Sequence, residues 1–160
     1  MKPPKTITVF VVEQEGNISF LLNSKLQKSK DYIIVTYRSY ESCVENLGQK
    51  PDLIILDDQW TNNDPLQMAA YLKHQIGKTP LVFMSSQKSK DYIFQLSLEH
   101  VENVVAKDMD SDHLADELIN KIVLLTYKNR MKKREVKEAT LLIAITSLML
   151  SILVLYLLIY

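Results

Sequence analysis

The carboxyl-terminal stretch from Ala139 to Tyr160 contains no charged residue, and this stretch restricts the possible architectures most strongly. As a helix rising about 1.5 Å per residue it would be roughly 33 Å long, which is enough to cross the hydrocarbon core of a bilayer. Its polar side chains are small hydroxyls, which can donate hydrogen bonds to the helix backbone. A buried core helix of this length normally keeps a polar stripe. The sequence therefore predicts a membrane anchor over residues 139–160.

A basic segment stands directly before this predicted anchor. Residues 128–138 carry six basic side chains and two glutamates. By the positive-inside rule, such a flank stays on the cytoplasmic side of a membrane. Nucleic-acid binding is the alternative, but the segment has no interleaved aromatic residues and anionic lipid headgroups account for its charge. We therefore expect membrane lipid as a partner and no nucleic-acid partner.

The remaining residues, 1–127, have the composition of one domain with its own core. Hydrophobic residues make up 47% of the 160-residue chain, so the chain is not of the disordered class. The single cysteine, Cys43, excludes a disulfide framework and a cysteine-based zinc site. Three glycines are too few and too scattered for a glycine-rich phosphate loop, which also argues against a flavin carrier.

Five apolar runs with strand character alternate with helical patterns through this domain. The runs are 7–12, 32–37, 51–57, 81–86 and 103–106. Such alternation is typical of a parallel sheet with helices on both faces. We predict an α/β fold, a doubly wound five-stranded parallel sheet, followed by one transmembrane helix. Because no Pro or Gly follows Pro80, the last helix of the domain is expected to continue through residues 128–138 into the anchor.

Polar residues follow four of these strands, where a doubly wound sheet collects its ligands. Acidic residues follow the first and third runs, Ser85 ends the fourth, and Lys107 follows the fifth. An acidic cluster with a hydroxyl and a lysine suits a phosphoryl acceptor, with Asp57 as nucleophile and with Ser85 and Lys107 binding the phosphoryl oxygens. The alternative, that polar residues end strands because strand ends meet solvent, stays open.

Three motifs in this order resemble the receiver domain of bacterial two-component response regulators. PDLIILD ends at Asp57, the position of the family's phosphoacceptor. TPLVFMSS places Ser85 at the switch hydroxyl, and VVAK places Lys107 at the family's lysine. The resemblance covers residues 5 to about 127 and implies the strand order 2-1-3-4-5. It also implies that a histidine kinase or phosphotransfer protein donates a phosphoryl group to Asp57.

The same resemblance implies a Mg²⁺ site formed by Glu13, Asp57 and Gln59, with Gln14 at a normally acidic position. Asp58 or Glu15 could compensate for the missing acid. With the anchor, the resemblance implies a single-pass protein of the bacterial inner membrane whose receiver domain, residues 1–127, lies in the cytoplasm.

Several positions depart from the family pattern and leave a second hypothesis open. Val104 replaces the switch aromatic, Asp108 replaces a proline, and Trp60 stands close to the presumed acceptor. The alternative is a degenerate pseudo-receiver, a phosphorylation-independent docking or dimerisation module whose last helix pairs with a second copy. Under either hypothesis we expect no turnover of a diffusible substrate, so the protein is not expected to be an enzyme.

Overall fold

A computed structural model describes residues 6–26, 29–59, 64–87, 89–99, 101 and 103–159 of the chain. The described residues divide into two compact units, 1–126 and 127–160. The predicted boundaries at 127/128 and 138/139 stay predictions, since the helix that contains them is continuous.

The first unit contains a five-stranded parallel sheet in its described part. The strands are β1 (Ile7–Val12), β2 (Tyr32–Tyr37), β3 (Leu53–Asp57), β4 (Leu81–Ser85) and β5 (Asn103–Ala106). Their order is β2-β1-β3-β4-β5, and every neighbouring pair is parallel. β3 and β4 are buried along their whole length, as expected for central strands covered on both faces. The predicted fold and strand order are confirmed.

Helices connect the strands at the places that the capping residues indicate. They are α1 (Asn17–Leu26), α2 (Tyr40–Glu45), α3 (Pro65–Ile76), α4 (Lys90–Leu98) and α5 (Ser111–Ile159). The Ser39 hydroxyl and the Asp64 carboxylate cap α2 and α3, and Pro65 occupies the first position of α3. Asp110 caps α5, because its Oδ1 accepts hydrogen bonds from the N–H groups of residues 112 and 113.

The two faces of the sheet carry separate hydrophobic cores, because successive strand side chains point in opposite directions. Phe10, Ile54 and Phe83 face the core that includes residues of α3 and α4. Val9, Ile55 and Met84 face the core that includes residues of α1 and the first part of α5. Both faces of the sheet are therefore covered, and its carboxyl edge is left for the site.

The second unit is the continuation of α5 from Tyr127 to Ile159. Within the described residues, α5 is the one helix whose length and apolar composition suffice to cross a membrane. The expected continuity of this helix is confirmed. Tyr160, the last residue of the predicted anchor, lies outside the described residues.

Candidate functional site

An ion pair stands at the carboxyl edge of the sheet, where β3 and β5 end. The last residue of β3, Asp57, is only 7% exposed, and its Oδ1 lies 2.5 Å from Nζ of Lys107, the residue that follows β5. The same Nζ lies 3.5 Å from Oδ1 of Asp58. Parallel strands bring these ends together, so one ammonium contacts two adjacent carboxylates. The structure thus brings together two of the predicted site residues, Asp57 and Lys107.

The Asp57 carboxyl has a perturbed acidity. Burial raises its pKa above the ordinary aspartate range, and the hydrogen bond and charge of Lys107 offset that effect only in part. A buried carboxylate depends strongly on its cationic partner, since losing that partner would leave a buried charge with less compensation. Perturbed carboxyls of this kind occur often at functional sites.

Ser85, the predicted switch hydroxyl, is hydrogen-bonded to Asp58. Its Oγ donates a hydrogen bond to Oδ2 of Asp58 over 3.0 Å, and it accepts one from the N–H of Gln87. The N–H of Ser86 donates to the same Asp58 oxygen over 2.7 Å. Asp58 therefore joins the end of β3 to the loop after β4. Sequence reasoning assigned Asp58 no definite role, although its position beside Asp57 was a signal for one.

Glu13, a predicted metal ligand, has its carboxylate at the start of α1. Glu13 is 1% exposed. Its Oε2 accepts a hydrogen bond from the N–H of Ile18, and its Oε1 accepts from the N–H and the hydroxyl of Ser19, over 2.5–2.8 Å. Glu13 thus satisfies two N–H groups in the first turn of α1. The Mg²⁺ assignment of Glu13 stays a prediction, and it would require these bonds to be exchanged.

Arg38 covers the loop between β1 and α1. Its guanidinium donates a hydrogen bond to the carbonyl of Gln14, the neutral residue at the normally acidic position. A β carbon on Gly16 would lie 2.9 Å from an Arg38 nitrogen, and Gly16 has a φ of +87°, so glycine suits this position for two reasons. A positive charge therefore stands beside the loop in which the family carries its second acid.

The donor set fits a divalent cation only in part. The described residues contain no cluster of three or more His, Cys, Asp or Glu side chains suited to a metal. Mg²⁺ commonly takes one or two protein carboxylates together with water, and Asp57 and Asp58 supply such a pair. The Lys107 ammonium lies against Oδ1 of both, and the Gln59 N–H donates to Asp57 Oδ1 over 3.4 Å. An ion at this pair would compete with Lys107.

The remaining singled-out residues lie away from this ion pair or outside the described part. Val104, at the switch-aromatic position, packs against the core that contains Phe83. Cys43 is fully buried, and burial raises the pKa of its thiol to about 12, which favours the interpretation of a small apolar filler. Trp60 falls outside the described residues.

Comparisons with known proteins support the fold described above. The family model described as "Response regulator receiver domain" matches residues 9–119. A comparison with the curated proteins finds no match. Among solved structures, the signal receiver domain of a putative Luxo repressor protein from Vibrio parahaemolyticus is 17% identical, with 80% of this chain and 95% of that chain covered and a TM-score of 0.67.

Two further solved structures are similar. The phosphorylated cyanobacterial phytochrome response regulator RcpA is 24% identical, with 74% of this chain and 94% of that chain covered and a TM-score of 0.64. The Mn²⁺-bound form of response regulator Rcp1 is 20% identical, with 72% and 91% covered and a TM-score of 0.62. At these identities the likeness shows the fold alone.

Proposed function

Because the chain belongs to the response regulator receiver domain family, we propose that it is a two-component signalling receiver that accepts a phosphoryl group on Asp57. Receiver domains generally interact with histidine kinases or phosphotransfer proteins, and one of these is the proposed donor. The chain would hold the phosphoryl group without turning over a diffusible substrate, so we propose no enzymatic activity for it.

The ion pair between Asp57 and Lys107 is the observation that carries this proposal. A carboxylate oxygen of Asp57 would form a bond to phosphorus while the P–N bond of the donor's phosphohistidine breaks. The imidazole nitrogen would leave with the electron pair and take up a proton. The Lys107 ammonium lies where it could bind a phosphoryl oxygen and stabilise the negative charge that arrives with the group.

Ser85 would act after transfer. Its hydroxyl now donates to Asp58, so contact with a phosphoryl oxygen on Asp57 requires that hydrogen bond to be exchanged. Asp58 also holds the N–H of Ser86, so this exchange would alter the loop after β4. We propose this loop as the part of the domain that reports phosphorylation to a partner.

A divalent cation would supply further positive charge at the phosphoryl oxygens when bound, as receiver domains bind Mg²⁺ or Mn²⁺ at the phosphorylation site. We propose the carboxylates of Asp57 and Asp58 as its ligands in this chain. Glu13 is less favoured because both of its carboxylate oxygens accept hydrogen bonds from α1.

Phosphorylation of the full chain in detergent micelles tests the proposal. The chain is incubated with acetyl phosphate and Mg²⁺, or with an autophosphorylated histidine kinase, and resolved on a phosphate-affinity gel. We expect a retarded band for the wild type and none for Asp57→Asn. Asp52→Asn, the same substitution at the residue before β3, is the matched control and should keep the band. Equal mobility of wild type and Asp57→Asn under every donor would contradict the proposal.

We also propose that the receiver is tethered to the inner face of a bacterial membrane. The uncharged stretch 139–160 and the basic segment 128–138 support a single-pass orientation with residues 1–127 in the cytoplasm. Flotation with vesicles containing anionic lipid, combined with protease protection of the carboxyl terminus, tests this. A chain that stays in the aqueous fraction would contradict the tether.

A phosphorylation-independent docking or dimerisation module is the second candidate. Two observations favour it: Glu13 caps α1, and Val104 lacks the aromatic ring of the switch position. If this function is correct, Asp57→Asn should bind the cellular partner of the full chain as tightly as the wild type. A partner that is retained only by phosphorylated wild type would contradict it.

A further inference from the structure

The second unit carries a seven-residue repeat that the proposed function does not use. Within the anchor, isoleucine recurs at every seventh position in one register, and leucine recurs at every seventh position three residues later. The isoleucines are Ile145, Ile152 and Ile159, and the leucines are Leu141, Leu148 and Leu155. All six lie on the uninterrupted helix α5 and are at least half exposed.

A repeat of seven residues with apolar positions three and four apart is the pattern of a left-handed helix pair. Ile at the first position (a) and Leu at the fourth (d) is the combination that favours two parallel strands. Most positions of a membrane anchor are apolar, so a pairing face is indicated by the kind of apolar residue that recurs at each position. Three of the four isoleucines in residues 139–160 occupy position a, and leucine occupies position d in three successive repeats.

We propose that this face, defined by the six residues above and called the heptad face, pairs with the heptad face of a second copy in the membrane. Copies inserted with the same basic flank on the same side are parallel, which is the arrangement that the Ile and Leu positions favour. The inference rests on the proposed membrane tether but not on phosphorylation of Asp57.

Charges before the anchor agree with a parallel pair. In the same register Arg130 stands at position g and Glu135 at the following position e, and these two positions lie across from each other in parallel pairs. A symmetric pair would therefore contain two contacts between Arg130 of one copy and Glu135 of the other, each joining opposite charges. In the same register Arg134 stands at position d and Glu138 at position a, so the apolar heptad face is confined to the anchor, residues 139–160.

A face of small residues offers a competing way to pair the same helix. Thr140 and Ser147 stand at position c, and Ala144 and Ser151 stand at position g, which borders the heptad face on one side. The Thr140 and Ser151 hydroxyls donate to backbone carbonyls of their own helix over 2.8–2.9 Å. This face serves as an alternative outcome of the experiment.

Energy transfer between full-length chains in vesicles tests the inference. Lys78→Cys supplies an exposed labelling site, and Cys43 is fully buried, so donor and acceptor dyes attach at residue 78. The test variant combines Ile145→Ala with Leu148→Ala, and the matched control combines Ile143→Ala with Leu150→Ala, which removes the same atoms at position f. We expect the test variant to need about tenfold more protein per lipid for half-maximal transfer, and the control to change by less than about twofold.

The outcomes separate this inference from the others. Flotation of both variants at the wild-type level shows that any loss of transfer reflects pairing and not insertion. Equal transfer in Asp57→Asn supports pairing independent of phosphorylation. The inference is overturned if the wild type stays monomeric at all ratios, if both double variants lose transfer alike, or if only Ala144→Leu with Ser151→Leu abolishes it. A chain that does not float with vesicles overturns both this inference and the tether.

Discussion

Lys107 connects the two carboxylates on which the proposed chemistry depends. Its ammonium contacts Oδ1 of Asp57 and lies 3.5 Å from Oδ1 of Asp58, and its side chain is only 15% exposed. A charge held this far from solvent acts in a lower effective dielectric than a surface lysine does. Its effect on a developing phosphoryl charge should therefore be large.

Removing this charge should slow phosphoryl transfer to Asp57. We expect Lys107→Met, which keeps the length and apolar stem, to lower the rate of Asp57 labelling by about 10²-fold. The rate is measured in single-turnover assays with acetyl phosphate and the full chain in micelles. Lys78→Met, on the exposed turn before β4, is the control and should label at the wild-type rate. A Lys107→Met rate within twofold of wild type would contradict the assigned role.

The raised pKa of Asp57 makes stability depend on pH in a defined direction. Ionisation of this carboxyl costs more in the folded chain than in the unfolded chain, so its contribution to stability is present below the ordinary aspartate pKa and is lost as the pH rises through the raised value. Asp57→Asn removes this titration. The free energy of unfolding of the variant relative to wild type should therefore increase as the pH rises from the ordinary aspartate range through the raised pKa of Asp57.

Urea unfolding of both chains in micelles, at several pH values, measures this difference. A difference that is flat with pH would show that Lys107 fully compensates the burial of Asp57. A difference that falls with pH would mean that the folded carboxyl has a lowered pKa, contrary to the cause assigned to it.

At the junction between β1 and α1, the helix binds the side chain of Glu13, a residue that the sequence predicts as a metal ligand. Glu13 follows β1 directly, and its long side chain reaches the N–H groups of Ile18 and Ser19 at the start of α1. An anionic oxygen at a helix N-terminus also interacts favourably with the helix dipole. The carboxylate that the resemblance assigns to Mg²⁺ thus supports a helix in the described structure.

Neutralising Glu13 separates these two roles. We expect Glu13→Gln to lower the free energy of unfolding by about 1–3 kcal/mol, because hydrogen bonds to a buried charged acceptor are weakened. Glu15→Gln, at an exposed position two residues later, is the control and should change stability by less than about 0.5 kcal/mol.

Mg²⁺ titration of the same variants, followed by isothermal calorimetry, completes the test. If Glu13 acts only as a cap, the affinity of Glu13→Gln for Mg²⁺ should equal that of the wild type. A loss of binding in Glu13→Gln that is absent in Glu15→Gln would restore Glu13 as a metal ligand.

At the scale of the whole molecule, the chain divides into a unit with two hydrophobic cores and a helix whose described side chains are mostly exposed. The core residues all lie at or before Ile122, and the exposed apolar residues of the second unit lie on α5 after Thr126. Exposed apolar surface of this extent marks a membrane or protein contact. Folding of the receiver and attachment to a membrane should therefore be separable.

Truncation tests that separation. A chain ending at Glu138 should fold with the helix and strand content of the first unit, remain in aqueous solution and fail to float with neutral vesicles. Circular dichroism, gel filtration and flotation measure these properties, with the full chain as the floating control. An aggregated or unfolded product would show that the first unit needs the anchor for its stability.

Several features follow from the sequence alone. Apolar runs bounded by Pro, Gly and capping residues predict the five strands, because a strand covered on both faces must be apolar throughout. The absence of Pro and Gly after Pro80 predicts one continuous last helix. Strand order and parallel direction then place the last residues of β3 and β4 and the residue after β5 at one edge, as the resemblance of Asp57, Ser85 and Lys107 to the receiver motifs implies.

Only the tertiary structure decided which groups at that edge contact each other. Glu13 pairs with α1, Ser85 pairs with Asp58, and Arg38 reaches the carbonyl of Gln14 from the end of another strand. Local sequence indicates which elements form, since periodicity and capping act over a few residues. A hydrogen bond between elements depends on distances of a fraction of an ångström between segments far apart in the chain, and packing of the whole domain sets those distances.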